Sequence, residues 1–149
     1  MAEPEPGISD IPSWRRHHAA ARAHYDAVAR SVTDADAPTP SGTWTAAEVL
    51  AHVSEGHDAA DGEMVDHLVQ LQMLTLDLAV HTWDLSRSQG LEPATDENLH
   101  RALHAAFAPH TALMAQEDAF APPVPVGPGA APLERLVGLC GRDPAWSRP

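Results

Sequence analysis

The sequence predicts an all-α protein, an antiparallel helical bundle, on three observations. Thr45 and Glu48 write a helix start ahead of an apolar stripe. Residues 63–88 form a long apolar run that ends at Gly90, with Pro93 just beyond. No stretch shows the alternation or the turn spacing of a strand.

Taken in order, residues 1–12 are acidic and proline-containing, a composition that predicts a flexible lead-in to a single domain over 13–149. Ser13 is the expected N-cap of a helix over 14–32, whose apolar stripe is Trp14, Ala21, Tyr25, Val28 and Val32. Pro38 and Pro40 break the chain after it. Thr45 and Glu48 then form a capping box, with Trp44 placed to staple over Val49, and open a helix over 46–56 that sets His52 beside its core stripe. Glu48 and His52 also stand four apart, but capping accounts for Glu48. Residues 54–62 read as a turn or helix interruption around Gly56.

The helix over 63–88 carries apolar residues on more than one face, which makes it central. Thr95 is the expected cap of a helix over 96–118, which Pro109 should kink or split. The proline- and glycine-rich residues 121–132 are expected to lie extended along the bundle. A short helix over 132–140 starts on Pro132 and stops at Gly141.

Composition narrows the function. Nine basic against 21 acidic residues give a net charge of −12, which argues against nucleic acid and against docking on an anionic membrane surface. The single Cys140 rules out an internal disulfide, and the N-terminus shows no basic and apolar signal regions, so a cytoplasmic protein is expected. Of the ten histidines, His17, His18, His24, His100, His104 and His110 fall on alanine-rich segments and are expected at the surface.

Asp77 and His81 are different. They stand four apart in an apolar run, so a helix projects both from one face about one turn apart, a chelating spacing. A core-edge histidine with a carboxylate neighbour would show the same spacing. His52, on another helix, is the candidate third ligand. Asp84, one turn after His81, either orients an imidazole N–H or is a solvated helix residue.

Four pieces, WTAAEVLAHV, LDLAVHTWDLSRSQG, APPVPV and GRDPAW, together resemble the actinobacterial metal-binding proteins related to mycothiol-dependent maleylpyruvate isomerase, in the DinB/YfiT-like superfamily. The resemblance spans most of residues 14–146. It implies a DinB-like four-helix bundle with a short C-terminal helix, holding one divalent ion, zinc or nickel, on His52, Asp77 and His81. It further implies mycothiol, a low-molecular-weight thiol, as cosubstrate and a small organic acid as substrate, with Arg87 and Arg142 as the candidate anion-binding residues. In such an isomerase the thiolate adds to a cis-enoyl diacid, permits rotation and leaves.

The chain departs from that family at two places. Ser41 stands where relatives often carry a cysteine, and only Ser54 to Gly62 separates two helices that relatives space by several dozen residues. The shortening can be made good in two ways: the helix after Thr95 and the proline-rich tail close the bundle within one chain, or, as the apolar faces of residues 63–88 favour, two copies form a homodimer in which each covers the other. It also opens an alternative function, a catalytically inactive metal-binding or dimerisation module.

Overall fold

The computed structural model describes residues 10–60, 68–116 and 119–149, excepting the side chains of 58–60. It is helical, with α1 (Ile11–Arg30), α2 (Ala46–Ala60), α3 (Leu68–Ser88), α4 (Glu97–Phe107), a 3₁₀ turn (Ala108–His110), α5 (Thr111–Met114) and α6 (Pro132–Leu139). Among the described residues the β-structure is one isolated bridge, between Pro38 and Thr45. No described helix is long and apolar enough to cross a membrane.

α3 is the axis of the molecule. α1 and α2 pack on it, and α4 and α6 pack on it and on each other. Every residue from Leu78 to Ser86 is buried, the polar ones included. Hydroxyls survive there because each donates back along the helix. Thr75 donates to the Leu71 carbonyl at 2.7 Å. Thr82 reaches the Leu78 carbonyl at 2.6 Å, and Ser86 that of Thr82 at 2.7 Å. The apolarity of this stretch of α3 on more than one face is therefore covered by the chain's own helices.

The helix boundaries follow local chemistry. Thr45 and Glu48 bond reciprocally, as a capping box requires. The Glu48 N–H donates to Thr45 Oγ1 at 3.3 Å, and the Thr45 N–H donates to Glu48 Oε1 at 3.2 Å. Gly90 stops α3 with a φ of 69°. That left-handed conformation is natural to glycine at a helix end. Pro109 splits the segment after α4 as its missing N–H requires.

Three boundaries differ from expectation. α1 starts at Ile11 with Asp10 as N-cap, so Ser13 lies inside the first turn, where its hydroxyl donates to the Asp10 carboxylate at 2.6 Å. Pro12 in that first turn suits the earlier start, because the first N–H groups of a helix have no partner to lose. Asp96, not Thr95, caps α4 by accepting from the Leu99 N–H at 3.3 Å. An aspartate is the stronger choice there, since its carboxylate also favours the positive end of the helix. α2 runs on to Ala60, so residues 54–60 are helix rather than turn. Gly56 sits on its exposed face. A glycine at such a position costs only about 1 kcal/mol. The expected start of the long helix at residue 63 lies outside the described residues.

The proline-rich segment after Phe120 runs extended beside α6, tied by the Val124 N–H to the Gly138 carbonyl at 2.8 Å. This path carries the chain back so that the residues after α6 reach the middle of α3.

Candidate metal centre

Asp77, His81 and Asp84 succeed one another on α3 at steps of four and three, which places all three on one stripe of the helix. α2 brings His52 to the same point. His52 Nε2 lies 2.9 Å from Asp77 Oδ1, and His81 Nε2 lies 3.2 Å from that same oxygen. One ligating atom from each of His52, Asp77 and His81 falls within 4.8 Å of the others, a grouping able to hold a metal ion.

Burial grades across the cluster. His81 is fully buried, Asp77 is 18% exposed and His52 is 34% exposed, so the cluster opens outward on the His52 side. Trp44, held at the head of α2, lies over it with its ring centroid 4.6 Å from that of His52 and 5.9 Å from that of His81. Trp44 thus walls the site, a role beyond the staple over Val49 that its position suggested. The loop that carries it is fixed by Thr39, whose hydroxyl donates to the Trp44 carbonyl at 2.7 Å. Tyr25 of α1 borders the cluster closely enough to feel Asp77; burial first, then the charges of Asp77 and Asp26, push its hydroxyl up to about 12.

Behind His81 stands a second carboxylate. Asp84 is completely buried and accepts from His81 Nδ1 at 2.9 Å. Arg142, 2% exposed, grips Asp84 with two bonds, Nε to Oδ1 at 3.1 Å and Nη2 to Oδ2 at 2.8 Å. Its Nη1 donates to the Ala119 and Cys140 carbonyls at 2.5 Å and 3.0 Å. Such a paired, charge-assisted grip fixes direction as well as distance. Asp84 is therefore an orienting residue rather than a solvated one. Arg142 is committed to Asp84 and to carbonyls, which corrects its reading as an anion-binding residue.

Among the described residues, the contact seen for Arg87 is with Trp83 and not with the cluster. Its guanidinium lies 5.6 Å from the centroid of the Trp83 ring. Attraction between a cation and an aromatic face holds it there, while its Nε is buried without a hydrogen-bond partner among the described residues.

The hydrogen bond to Asp84 settles which nitrogen of His81 carries hydrogen. A carboxylate only accepts, so Nδ1 donates and a neutral His81 presents the lone pair of Nε2 toward Asp77. Nε2 is buried and makes no hydrogen bond of acceptable geometry, although it sits 3.2 Å from a carboxylate oxygen. Two lone pairs facing each other at that distance repel, and only a cation between or upon them removes the repulsion. The cation is either a second proton on His81 or a metal ion.

The titration of the cluster shows the same tension. Burial opposes charge on His81, but the adjacent carboxylates of Asp77 and Asp84 outweigh it and raise its pKa to about 9. Asp77 is held well below the usual carboxylate range; burial opposes this, and the hydrogen bond with His52 and the closeness of His81 prevail.

The donor set also fits an ion sterically. Two imidazoles bound at a tetrahedral angle, with metal–nitrogen bonds of about 2.0–2.1 Å, place their ring centroids roughly 5 Å apart. The His52 and His81 centroids are 5.0 Å apart, with the rings at 72°.

Several histidines expected at the surface are partly or wholly enclosed. His100 is 4% exposed, and burial drives its pKa down to about 4 despite nearby Asp96. His17, His18, His24 and His104 are half-buried, and His24 contacts Asp96 at 3.3 Å; His110 is exposed as expected. Cys140 is fully buried and its thiol is pushed up to about 12 by burial, which removes it as a nucleophile at neutral pH.

Arg142 as the clamp on Asp84 and Trp44 as the wall of the site carried no sequence signal, because both roles come from tertiary contact. No family model matches the chain, and no curated protein or solved structure matches it.

Proposed function

We propose that this chain is a divalent-metal-binding protein, with His52, Asp77 and His81 as the protein ligands of one ion. The observation that carries this reading is the buried, unpartnered Nε2 of His81, aimed at Asp77 while its Nδ1 is held by a buried carboxylate. A ligating histidine steadied by an acid behind it is a recurrent arrangement in metal sites. Two nitrogens and one oxygen suit zinc or nickel.

Three protein ligands leave coordination positions open, the pattern of catalytic rather than structural zinc sites. Such an ion, when bound, supplies a Lewis acid that lowers the pKa of a coordinated thiol or water. The protein's own part is to fix the ligands and to wall the site with Trp44. The resemblance to mycothiol-dependent maleylpyruvate isomerase, in a DinB-like bundle, makes a low-molecular-weight thiol the proposed occupant of the open position and thiol-dependent isomerisation or transfer of a small organic acid the proposed chemistry.

Cobalt in place of the native ion tests the thiol. Adding free cysteine to the Co(II) protein is expected to produce a thiolate-to-cobalt charge-transfer band, absent from the His81→Ala variant. Stoichiometric cobalt with no such band would contradict the thiol reading and leave a metal-binding module.

A further inference from the structure

A second pair of histidines lies away from this cluster. His18 on α1 and His57 on α2 have ring centroids 5.9 Å apart and planes at 28°. In both rings Nε2 is buried and has no hydrogen-bond partner among the described residues. His57 Nδ1 lies 3.1 Å from the Val53 carbonyl. A carbonyl can only accept, so Nδ1 bears the hydrogen and Nε2 of the neutral ring bears a lone pair. A buried lone pair with no donor is costly to leave unmatched.

We infer that His18 and His57 form an auxiliary site for a late first-row divalent metal ion, bound through the two Nε2 atoms with the remaining positions open to water. Two imidazoles joined to one ion by bonds of about 2.0–2.1 Å hold their centroids roughly 5–6 Å apart, wider as the angle at the ion opens. The observed 5.9 Å falls in that range. Burial first, then the nearby His57 and Arg22, lowers the pKa of His18, so its ring offers a neutral donor at neutral pH without a proton to displace.

The pair is separate from the His52 cluster. His57 lies five residues beyond His52 on α2. Five helical residues rise about 7.5 Å. Ions that share a two-metal site are only about 3.5–4 Å apart. Two donors in place of three make the His18 and His57 pair the weaker site. Imidazole donors alone favour copper(II) over nickel and zinc. Whether the first cluster holds a metal has no bearing on this pair.

The test is a copper(II) titration of the metal-free full chain, read by calorimetric stoichiometry and by the nitrogen couplings of the copper resonance. Wild type is expected to take two equivalents. His52→Ala, which removes a partly exposed ring of the first site, should keep the weaker equivalent and its two-nitrogen signature. In that background, His18→Phe and His57→Phe preserve ring volume and should each weaken this equivalent at least tenfold, while His24→Phe leaves it unchanged. His18→Gln and His57→Gln should behave like the phenylalanine variants, so a folding defect in one series is recognised by the other. Copper binding untouched by substitutions at His18 and His57, whether one equivalent or two, would overturn the site. An equal loss in His24→Phe would assign the copper to other histidines of the chain and overturn it as well. A single equivalent in wild type that disappears in the His18 and His57 variants would support this site and count against the His52 cluster.

Discussion

Arg142→Ala is expected to destabilise the fold by roughly 3–5 kcal/mol, because it strips the guanidinium from a fully buried Asp84 and leaves that carboxylate only His81, which Asp77 already shares. That penalty reflects the unpaired charge rather than the worth of the pair, since two ions withdrawn from water recover little beyond their own desolvation. Replacing both partners by apolar residues, Asp84→Leu with Arg142→Met, should therefore cost clearly less than Arg142→Ala alone. Denaturant unfolding of the single and double variants measures the difference. A cost under about 1 kcal/mol for Arg142→Ala would show that water screens the pair. The pair also joins α3 to the segment beyond α6 across 58 residues of chain, so its loss should free the C-terminal segment and relax the orientation of His81.

The metal-free protein is expected to lose stability as pH rises from about 6.5 to 9. His81 has a folded pKa raised to about 9 from an ordinary value near 6.5. A raised pKa means that the folded state binds the proton more tightly than the unfolded chain does. That stabilisation is complete below pH ~6.5 and vanishes as pH climbs through ~9. Its full size, from about 1.4 kcal/mol per pKa unit, is up to roughly 3 kcal/mol. Asp77 acts oppositely, contributing stability above about pH 3.8 that is lost on acidification.

A metal ion substitutes for that proton, so saturating zinc should abolish the alkaline loss, and zinc uptake at pH 7 should release a proton. Apparent zinc affinity should climb with pH up to about 9, above the range an ordinary histidine of pKa about 6.5 would set. Chemical unfolding at pH 6.5 and 9, with and without zinc, reads both effects. A metal-free protein equally stable at the two pH values would contradict the charged, enclosed His81.

What the sequence made legible was local. The capping box at Thr45, the stop at Gly90 and the break at Pro109 each act within a few residues, and each is where the motif placed it. Asp77 and His81 were legible because a helix fixes the direction of residues four apart. His52 was legible because its neighbours Val49 and Val53 define the inward face of α2.

What depended on tertiary contact was not legible. Asp84 gives no hint of its partner, since Arg142 reaches it only after the extended segment doubles back beside α6. His100 reads as an exposed helix residue until α4 packs on α3 and encloses it. The end of α2 was misplaced because glycine suggests a break, whereas an exposed helical position tolerates it at small cost. Which helices cover the second apolar face of α3 was likewise set only by tertiary contact.

Whether His52, Asp77 and His81 hold an ion is decided by the metal content per chain in wild type, His52→Ala and His81→Ala. The protein is purified without chelator or histidine tag and passed through gel filtration to remove weakly held ions. Wild type is expected to retain close to one equivalent of zinc or nickel, His81→Ala none, and His52→Ala little, because each removes one of three ligands converging within 4.8 Å. Metal-free wild type that also fails to take up zinc at pH 8, or retention undiminished in both variants, would contradict the site.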